Sequence, residues 1–176
     1  MIVFAGIRSY FNGVAVAGNY VYVVGEYIGI RIFEVSDPAE PDEVGFIDTP
    51  NAYDVAVAGN HTYSVDDGGL RIIDVSDPTK PSETGLAASI NFSVSVVLEG
   101  NYAFAAGRSG GLDIVDVSNP ISPTETGFFD TPGGPTSDSY GVDVSGNYVY
   151  LTDWYNGLRI IDVTNSAEPR ETGYYV

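Results

Sequence analysis

A ten-residue segment, Gly-Leu-Arg-Ile-Ile-Asp-Val-Ser-Asp-Pro at residues 69–78, constrains the fold of this chain more than any other feature, because it recurs. Related segments begin at Gly29, Gly111 and Gly157, so successive copies are 40, 42 and 46 residues apart. This spacing is typical of β-propeller blades, which repeat every ~40 to 50 residues. Four tandem units account for nearly all of the 176 residues.

Each unit divides into four short segments with the character of β-strands. In the second unit, residues 52–58 alternate large and small side chains and end at Gly59-Asn60, a pair that tolerates the backbone of a tight hairpin turn. Residues 62–65, the repeated motif itself and residues 83–85 supply the second, third and fourth segments. No window has helical periodicity. The sequence therefore predicts an all-β fold, a β-propeller of four four-stranded blades.

We expect residues 1–176 to form one β-propeller domain. The predicted repeats are at about 7–47, 48–88, 89–129 and 130–176. Residues 2–5 align with the fourth strand at 43–46, so residues 1–6 are predicted to be a surplus terminal strand.

The surplus strand leaves three arrangements open, because residues 171–176 also read as a fourth strand. In the first, the N-terminal strand closes the last blade and the C-terminal strand lies outside it. In the second, the spare strand pairs with the exposed edge of a neighbouring molecule. In the third, the chain is part of a larger propeller completed by another copy or by further sequence.

Composition argues against several classes of partner. The chain has 24 acidic and 7 basic residues and a net charge of −17, which disfavours binding to nucleic acid. Many of the acids recur at fixed repeat positions, so we interpret them as part of the unit rather than as one site. No apolar run approaches the length of a membrane span, and we predict no membrane insertion. The absence of cysteine excludes disulfides and thiolate metal sites.

The repeated unit resembles the LVIVD repeat. The resemblance rests on the Gly-Leu-Arg-Ile-Ile-Asp-Val-Ser-Asp-Pro strand, on Val-Ala-Val-Ala-Gly-Asn before it and on Glu-Thr-Gly after it. The third copy departs from the pattern, with Asp113 in place of Arg. The resemblance implies a β-propeller and an extracellular or cell-surface location, and it implies no particular chemistry. The apolar run at residues 1–6 is too short for the apolar core of a secretory signal peptide, so we expect an export signal to lie outside this chain.

Comparison of the four copies predicts which rim of the propeller binds partners. The Gly-Asn and Ser-Asp-Pro turns barely change, whereas the loops between strands two and three and between blades differ in length and composition. Variable loops on a constant scaffold usually carry the binding function. The candidate binding residues are Trp154, Tyr155, Tyr27, Arg108, Asn51 and Asp153. Trp154 and Tyr155 stand out because they accompany the longest insert, at residues 133–139. The alternative is that Trp154 packs under that insert.

Catalytic and metal signatures are weak. Carboxylates at Asp54, Asp143, Asp66, Asp67 and Asp153 could gather around a hard cation such as Ca²⁺, but no calcium-loop motif is present. We predict no metal and no cofactor. The single histidine, His61, replaces a repeated tyrosine after a Gly-Asn turn, so no Ser-His-Asp set is available. Arg31, Arg71 and Arg159 fall on third strands, where we expect them to pair with the repeated acids.

Three functions remain open from the sequence. The first is a non-enzymatic interaction module that binds a protein or a glycan through its variable loops. The second is a self-assembling structural subunit, a homo-oligomer formed through pairing of the surplus terminal strand. The third is a glycan-processing enzyme that uses two carboxylates, although no pair of acids is distinguished from the rest.

Overall fold

The computed structural model describes residues 10–90, 92–107, 111–132 and 139–176. Within these ranges each repeated unit forms one antiparallel four-stranded sheet, which we call blades 1 to 4 in chain order. The strands of blades 1 and 2 are β1 (Tyr10–Ala17), β2 (Tyr20–Glu26), β3 (Gly29–Glu34), β4 (Asp42–Ile47), β5 (Ala52–Ala58), β6 (His61–Asp66), β7 (Gly69–Asp74) and β8 (Ser82–Ala87). Those of blades 3 and 4 are β9 (Ser93–Glu99), β10 (Tyr102–Gly107), β11 (Gly111–Asp116), β12 (Thr124–Asp130), β13 (Ser139–Ser145), β14 (Tyr148–Asp153), β15 (Gly157–Asp162) and β16 (Arg170–Tyr175).

The repeated turns explain why every unit folds in the same way. The first and second strands of each blade are joined by a Gly-Asn turn, and Gly18 has a φ of 57°, which glycine adopts without strain. The carbonyl of Asn19 then accepts a 2.8 Å hydrogen bond from the amide of Val35, just beyond the third strand. The Ser-Asp-Pro turn closes on itself, because Asp37 Oδ1 accepts from the amide of Ala39 at 3.0 Å. These turns form one rim of the fold, the turn rim.

The blades pack face to face in chain order. The first strands β1, β5, β9 and β13 are successive neighbours, and apolar side chains fill the space between adjacent sheets. The interface between blades 1 and 2, for example, buries Tyr22 and Ile32 against Val55 and Ile73. This arrangement confirms the predicted all-β propeller of four four-stranded blades. The described residues include no helix, and hence none that could span a membrane.

The C-terminal strand settles one of the open arrangements. Strand β16 pairs with β15 as the fourth strand of blade 4. The first arrangement, in which the N-terminal strand closes blade 4 and the C-terminal strand lies outside it, is therefore excluded, because β16 already occupies that place. The predicted surplus strand at residues 1–6 lies outside the described residues. Among the described strands, β13 packs on β9 but has no comparable packing with β1, so the four blades form an open arc.

The third-strand arginines pair with repeated acids, as predicted, and their partners are the fourth-strand glutamates. Arg31 bonds to Glu43 at 3.2 Å, and Arg159 bonds to Glu171 at 3.1 Å. Arg71 makes the corresponding ion pair with Glu83. The arginines therefore tie the two outer strands of their blades together.

Candidate functional site

The loops that vary between repeats gather at the rim opposite the turns, which we call the variable rim. Loops between blades contact loops between second and third strands there. Asn51 Nδ2 donates to Asp67 Oδ2 at 2.9 Å, and Thr131 Oγ1 donates to Asp153 Oδ2 at 2.9 Å. Side chains from two loops thus meet in blades 2 and 4, and the rim offers a composite surface.

The loop between β14 and β15 carries two of the predicted binding residues, Trp154 and Tyr155, and a third, Asp153 at the end of β14, holds it in place. Asp153 is buried, and its Oδ1 accepts hydrogen bonds from the amides of Tyr155 and Asn156 at 3.0 and 2.8 Å. The Asn156 side chain donates to the same oxygen at 2.8 Å. Because its other oxygen accepts from Thr131, Asp153 positions the loop rather than facing a ligand.

Trp154 and Tyr155 project from this loop into solvent. Their side chains are 72% and 66% exposed. Trp154 contacts Tyr140 of β13, with ring centroids 5.7 Å apart and planes inclined by 54°, a favourable aromatic geometry. Residues 133–138 of the insert lie outside the described part of the chain, so the alternative that Trp154 packs beneath them stays untested. The two described flanks of the insert, Thr131 and Tyr140, both contact the Trp154 loop.

A cleft opens beside this aromatic pair. It has a volume of about 360 Å³ and is lined by Tyr140, Thr152, Asp153 and Trp154. Such a volume lies at the small end of ligand pockets. Tyr140 and Trp154 contribute aromatic rings, and the Asp153 carboxylate is already occupied by its own hydrogen bonds, so the cleft is mainly apolar and suits one ring-sized group.

The other candidate residues lie apart from this cleft. Asn51 belongs to a cluster around Asp67, whose Oδ1 accepts a 2.7 Å hydrogen bond from the Tyr53 hydroxyl. Tyr27 is exposed on the loop between β2 and β3 and has a φ of 64°. Arg108 lies outside the described residues. The structure therefore brings Asp153, Trp154 and Tyr155 together and places Asn51 and Tyr27 on other loops of the same rim.

The carboxylate of Asp66 is fully buried beneath the variable rim in blade 2. Its Oδ2 accepts a 2.7 Å hydrogen bond from Arg71 Nε, and its Oδ1 accepts from the amide of Gly68 at 2.7 Å. Burial raises the pKa of Asp66, while the hydrogen bonds from Arg71 and Gly68 oppose that rise. Because Arg71 also binds Glu83, it joins the rim to the outer strand. These contacts define a buried structural network.

Blade 4 uses the same positions differently. Asp153 stands where blade 2 has Asp66, but its oxygens are taken by Thr131 and by the loop. Arg159, which corresponds to Arg71, consequently has a buried Nε with no partner in the described part of the chain. The loop of blade 4 is therefore held through Asp153 and the neighbouring Thr131 rather than by Arg159.

The acids do not assemble a metal centre within the described residues, where no group of three or more potential ligands is found. Asp54 instead links two blades, because its Oδ2 accepts from the Val96 amide at 3.0 Å and from Ser95 Oγ at 3.1 Å. His61 is paired with Asp74 across β6 and β7, next to the turn rim.

Sequence reasoning missed Tyr140, Thr152 and Thr131. A signal for Tyr140 was available, because it occupies the same bulged position of the first strand as Tyr53. Aromatic residues at that position in two repeats indicate contact with the neighbouring loop, and Tyr53 does pack against Phe92 at 5.3 Å. Thr152 could be noticed as a polar residue where the other blades have Val24, Val65 and Ala106. Nothing in the sequence singled out Thr131.

Comparisons with known proteins agree with this architecture. At 12% identity, 97% of the chain superimposes on 51% of the computationally designed Ika8 protein with a TM-score of 0.71. The computationally designed Ika4 protein, also 12% identical, matches over 90% of this chain and 94% of its own with a TM-score of 0.62. The chain thus spans about half the length of Ika8. No curated protein matches the sequence significantly. The family model of the LVIVD repeat matches four times, at residues 10–49, 51–88, 93–131 and 136–176. The chain therefore belongs to the LVIVD-repeat family.

Proposed function

We propose that this propeller is a non-enzymatic interaction module that binds a protein or a glycan through its variable rim. The observation that carries the proposal is the exposed pair Trp154 and Tyr140 at the edge of a 360 Å³ cleft. Aromatic side chains give a large contact area for little loss of conformational entropy, and they dominate many binding surfaces. A sugar ring, or one side chain of a protein partner, matches the size of the cleft.

The loop that bears Trp154 is held before any partner arrives. Asp153 accepts hydrogen bonds from Thr131, Tyr155 and Asn156, so one buried carboxylate fixes this loop and the neighbouring loop between blades 3 and 4. A surface that is already ordered loses less entropy on binding than one that must be ordered. This fixation supports a binding role for the exposed rings above it.

Further aromatic residues extend the contact surface along the rim. Tyr27 and Phe92 are the non-glycine residues with positive φ in the described part of the chain, and both lie on variable-rim loops. Such a conformation costs roughly 1 kcal/mol or more for a side chain of this kind, and it persists where the surroundings or the function require it. A partner larger than one ring could contact these residues as well.

We propose a non-enzymatic role because acids of the variable rim are engaged in structural hydrogen bonds. Asp66, Asp67 and Asp153 each accept hydrogen bonds from neighbouring side chains or amides. General acid–base catalysis on a glycan needs two carboxylates free to approach the glycosidic oxygen and carbon. The extracellular or cell-surface setting rests on the family resemblance.

Binding to a panel of immobilised oligosaccharides and peptides tests this proposal. We expect the wild-type chain to bind at least one of them, and the double variant Trp154→Ala, Tyr155→Ala to lose at least tenfold in affinity, about 1.4 kcal/mol. Ile121→Ala is the control, because it removes an equally exposed apolar side chain from the turn rim. Undiminished binding by the folded double variant would place the site elsewhere, and cleavage of a bound oligosaccharide would contradict the non-enzymatic role.

A further inference from the structure

We propose that the two open ends of the arc pack against a second copy of this chain, so that two copies close one ring of eight blades. Blade 4 of each copy would then cover blade 1 of the other. The inference uses the end faces of the sheets rather than the predicted terminal strand, and the second copy would lie next to the cleft, because Thr152 lines that cleft and lies on the end face of blade 4.

The first observation is that the outer face of blade 1 exposes side chains that are buried in every other blade. This leading end face includes Val14, which is 63% exposed. Its counterparts Val55, Val96 and Val142 are 4%, 3% and 8% exposed, because each is covered by the preceding blade. Val21, Val23, Phe33 and Val35 of the same face are half-buried.

The second observation is that the outer face of blade 4 is exposed in the same way. Its outer face, the trailing end face, carries Tyr150, which is 37% exposed. The counterparts Tyr22, Tyr63 and Phe104 are 4%, 6% and 3% exposed beneath the following blade. Leu158 and Ile160 are only half-buried, whereas the residues at their positions in blades 1 to 3 are fully buried.

The third observation concerns a glycine in the fourth strand of every blade. A Cβ on Gly45, Gly85 or Gly127 would overlap a backbone carbonyl of the next blade, that of Pro78, Pro120 or Ser166 respectively. These glycines allow neighbouring blades to approach closely. Gly173 occupies the same position in blade 4, yet a Cβ there would meet only Ile160 of its own blade. In the proposed dimer, the carbonyl of Pro38 of the second copy would take the place that Pro78, Pro120 and Ser166 have at the internal interfaces.

Continuity with the three internal interfaces identifies the occupant. The leading and trailing faces carry the positions that already pack together as Tyr22 on Val55, Tyr63 on Val96 and Phe104 on Val142. A face that is complementary to the opposite end of the same molecule gives a head-to-tail contact, which closes into a ring when the rotation permits.

The contact between copies would differ from the internal ones near the channel. Phe11 on the leading side stands where Ala52, Ser93 and Ser139 are buried. Thr152 on the trailing side replaces Val24, Val65 and Ala106. Substitutions that test the interface are therefore placed away from these two residues.

Sedimentation velocity and light scattering at micromolar concentration provide the test. We expect the wild-type chain to have twice the 18.7 kDa monomer mass. Val14→Asp and Tyr150→Asp, one on each end face, should each give the monomer mass with an unchanged circular dichroism spectrum. Gly173→Val should do the same, because its new side chain has space within one copy. Ile121→Asp is the control, since it adds the same charge to an exposed turn-rim residue, and it should remain dimeric.

Several results would overturn the proposal. A monomeric wild-type chain, or a ring of three or more copies, would do so. Loss of the dimer from a change at only one end face would indicate that identical faces meet instead. A dimer that survives Val14→Asp but is lost on deletion of residues 1–6 would assign the contact to the terminal strand. Trp154→Ala, Tyr155→Ala should leave the mass unchanged, which separates this test from that of the binding function.

Discussion

Replacing Arg71 by methionine should expose how strongly the buried network beneath the variable rim supports the fold. Arg71 Nε lies 2.7 Å from Asp66 Oδ2, and Asp66 has no solvent exposure. Without Arg71, a buried carboxylate is left with only the Gly68 amide as a donor. Removing one member of a buried ion pair costs about 3 to 5 kcal/mol, a large share of the roughly 5 to 15 kcal/mol that stabilises a typical domain.

A double-mutant cycle isolates the interaction. Asp66→Gly introduces the residue that blades 1 and 3 already have at this position, Gly25 and Gly107. We expect the double variant Asp66→Gly, Arg71→Met to be at least about 2 kcal/mol more stable than the sum of the two single changes implies, because no unpaired charge remains. Urea unfolding at neutral pH measures each free energy of unfolding.

Acid should partly rescue Arg71→Met. Arg71 opposes the rise in the pKa of Asp66 that burial causes, so its removal leaves that rise opposed only by the Gly68 amide. The folded variant then binds a proton more readily than the unfolded chain, and its stability increases as the pH falls below the folded pKa of Asp66. The control is Arg170→Met, whose exposed pair with Glu168 is worth about 0 to 1 kcal/mol. If Arg71→Met and Arg170→Met lowered the free energy of unfolding equally and independently of pH, this reasoning would be refuted.

Three further changes have defined outcomes. Gly85→Ala should cost about 1 to 3 kcal/mol in urea unfolding, because the new methyl group overlaps the Pro120 carbonyl of the next blade, and an unchanged midpoint would contradict that close approach. Hydrogen bonds from the side chain and the amide of Thr164 lower the pKa of Asp162 in the folded state. The contribution of Asp162 to the free energy of unfolding is therefore present above pH 3.8, its ordinary pKa, and is lost as the pH falls through its folded pKa. The difference in unfolding midpoint between wild type and Asp162→Ala should therefore shrink in acid, and a constant difference would count against it. Asp153→Ala should destabilise the chain by about 1 to 3 kcal/mol, because buried donors such as Thr131 lose their acceptor. The same change should increase acrylamide quenching of Trp154, because the loop loses the carboxylate that holds it. Unaltered quenching would argue against that role of Asp153.

The repeated parts of the fold were predictable because they depend on local sequence. The Gly-Asn turns, the β-branched third strands and the Ser-Asp-Pro turns each determine their own conformation, and four copies of one pattern reinforce the assignment. That the third-strand arginines pair with repeated acids also followed from the repeat, and Arg31 and Glu43, on adjacent strands of one sheet, show it.

The open arc could not be predicted in the same way. Ring closure depends on small rotations between blades that add up over the chain, and no single residue specifies them. Tyr150 illustrates the difficulty, because its repeat position predicts burial, whereas its place in the last blade leaves it exposed. The place of the C-terminal strand was likewise left open by the sequence, and pairing of β16 with β15 excludes one of the three arrangements.

The variable rim was only partly accessible to sequence reasoning. Exposure of Trp154 and Tyr155 agrees with the reason for selecting them, but their role in binding stays a prediction. Asp153 appeared equivalent to its exposed neighbours, although its carboxylate lies inward and holds the loop. Loop residues of this kind are positioned by contacts with other loops, such as Thr131, which no pattern within one repeat can reveal.

The intrinsic fluorescence of Trp154 tests the central claim most directly, because it is the sole tryptophan of the chain. The measurement is a titration of the wild-type protein with an oligosaccharide or peptide that binds in the panel. The account predicts that the emission shifts to shorter wavelength and that acrylamide quenching decreases, with the same saturation as the binding curve. Saturable binding with no change in the emission or quenching of Trp154 would contradict it.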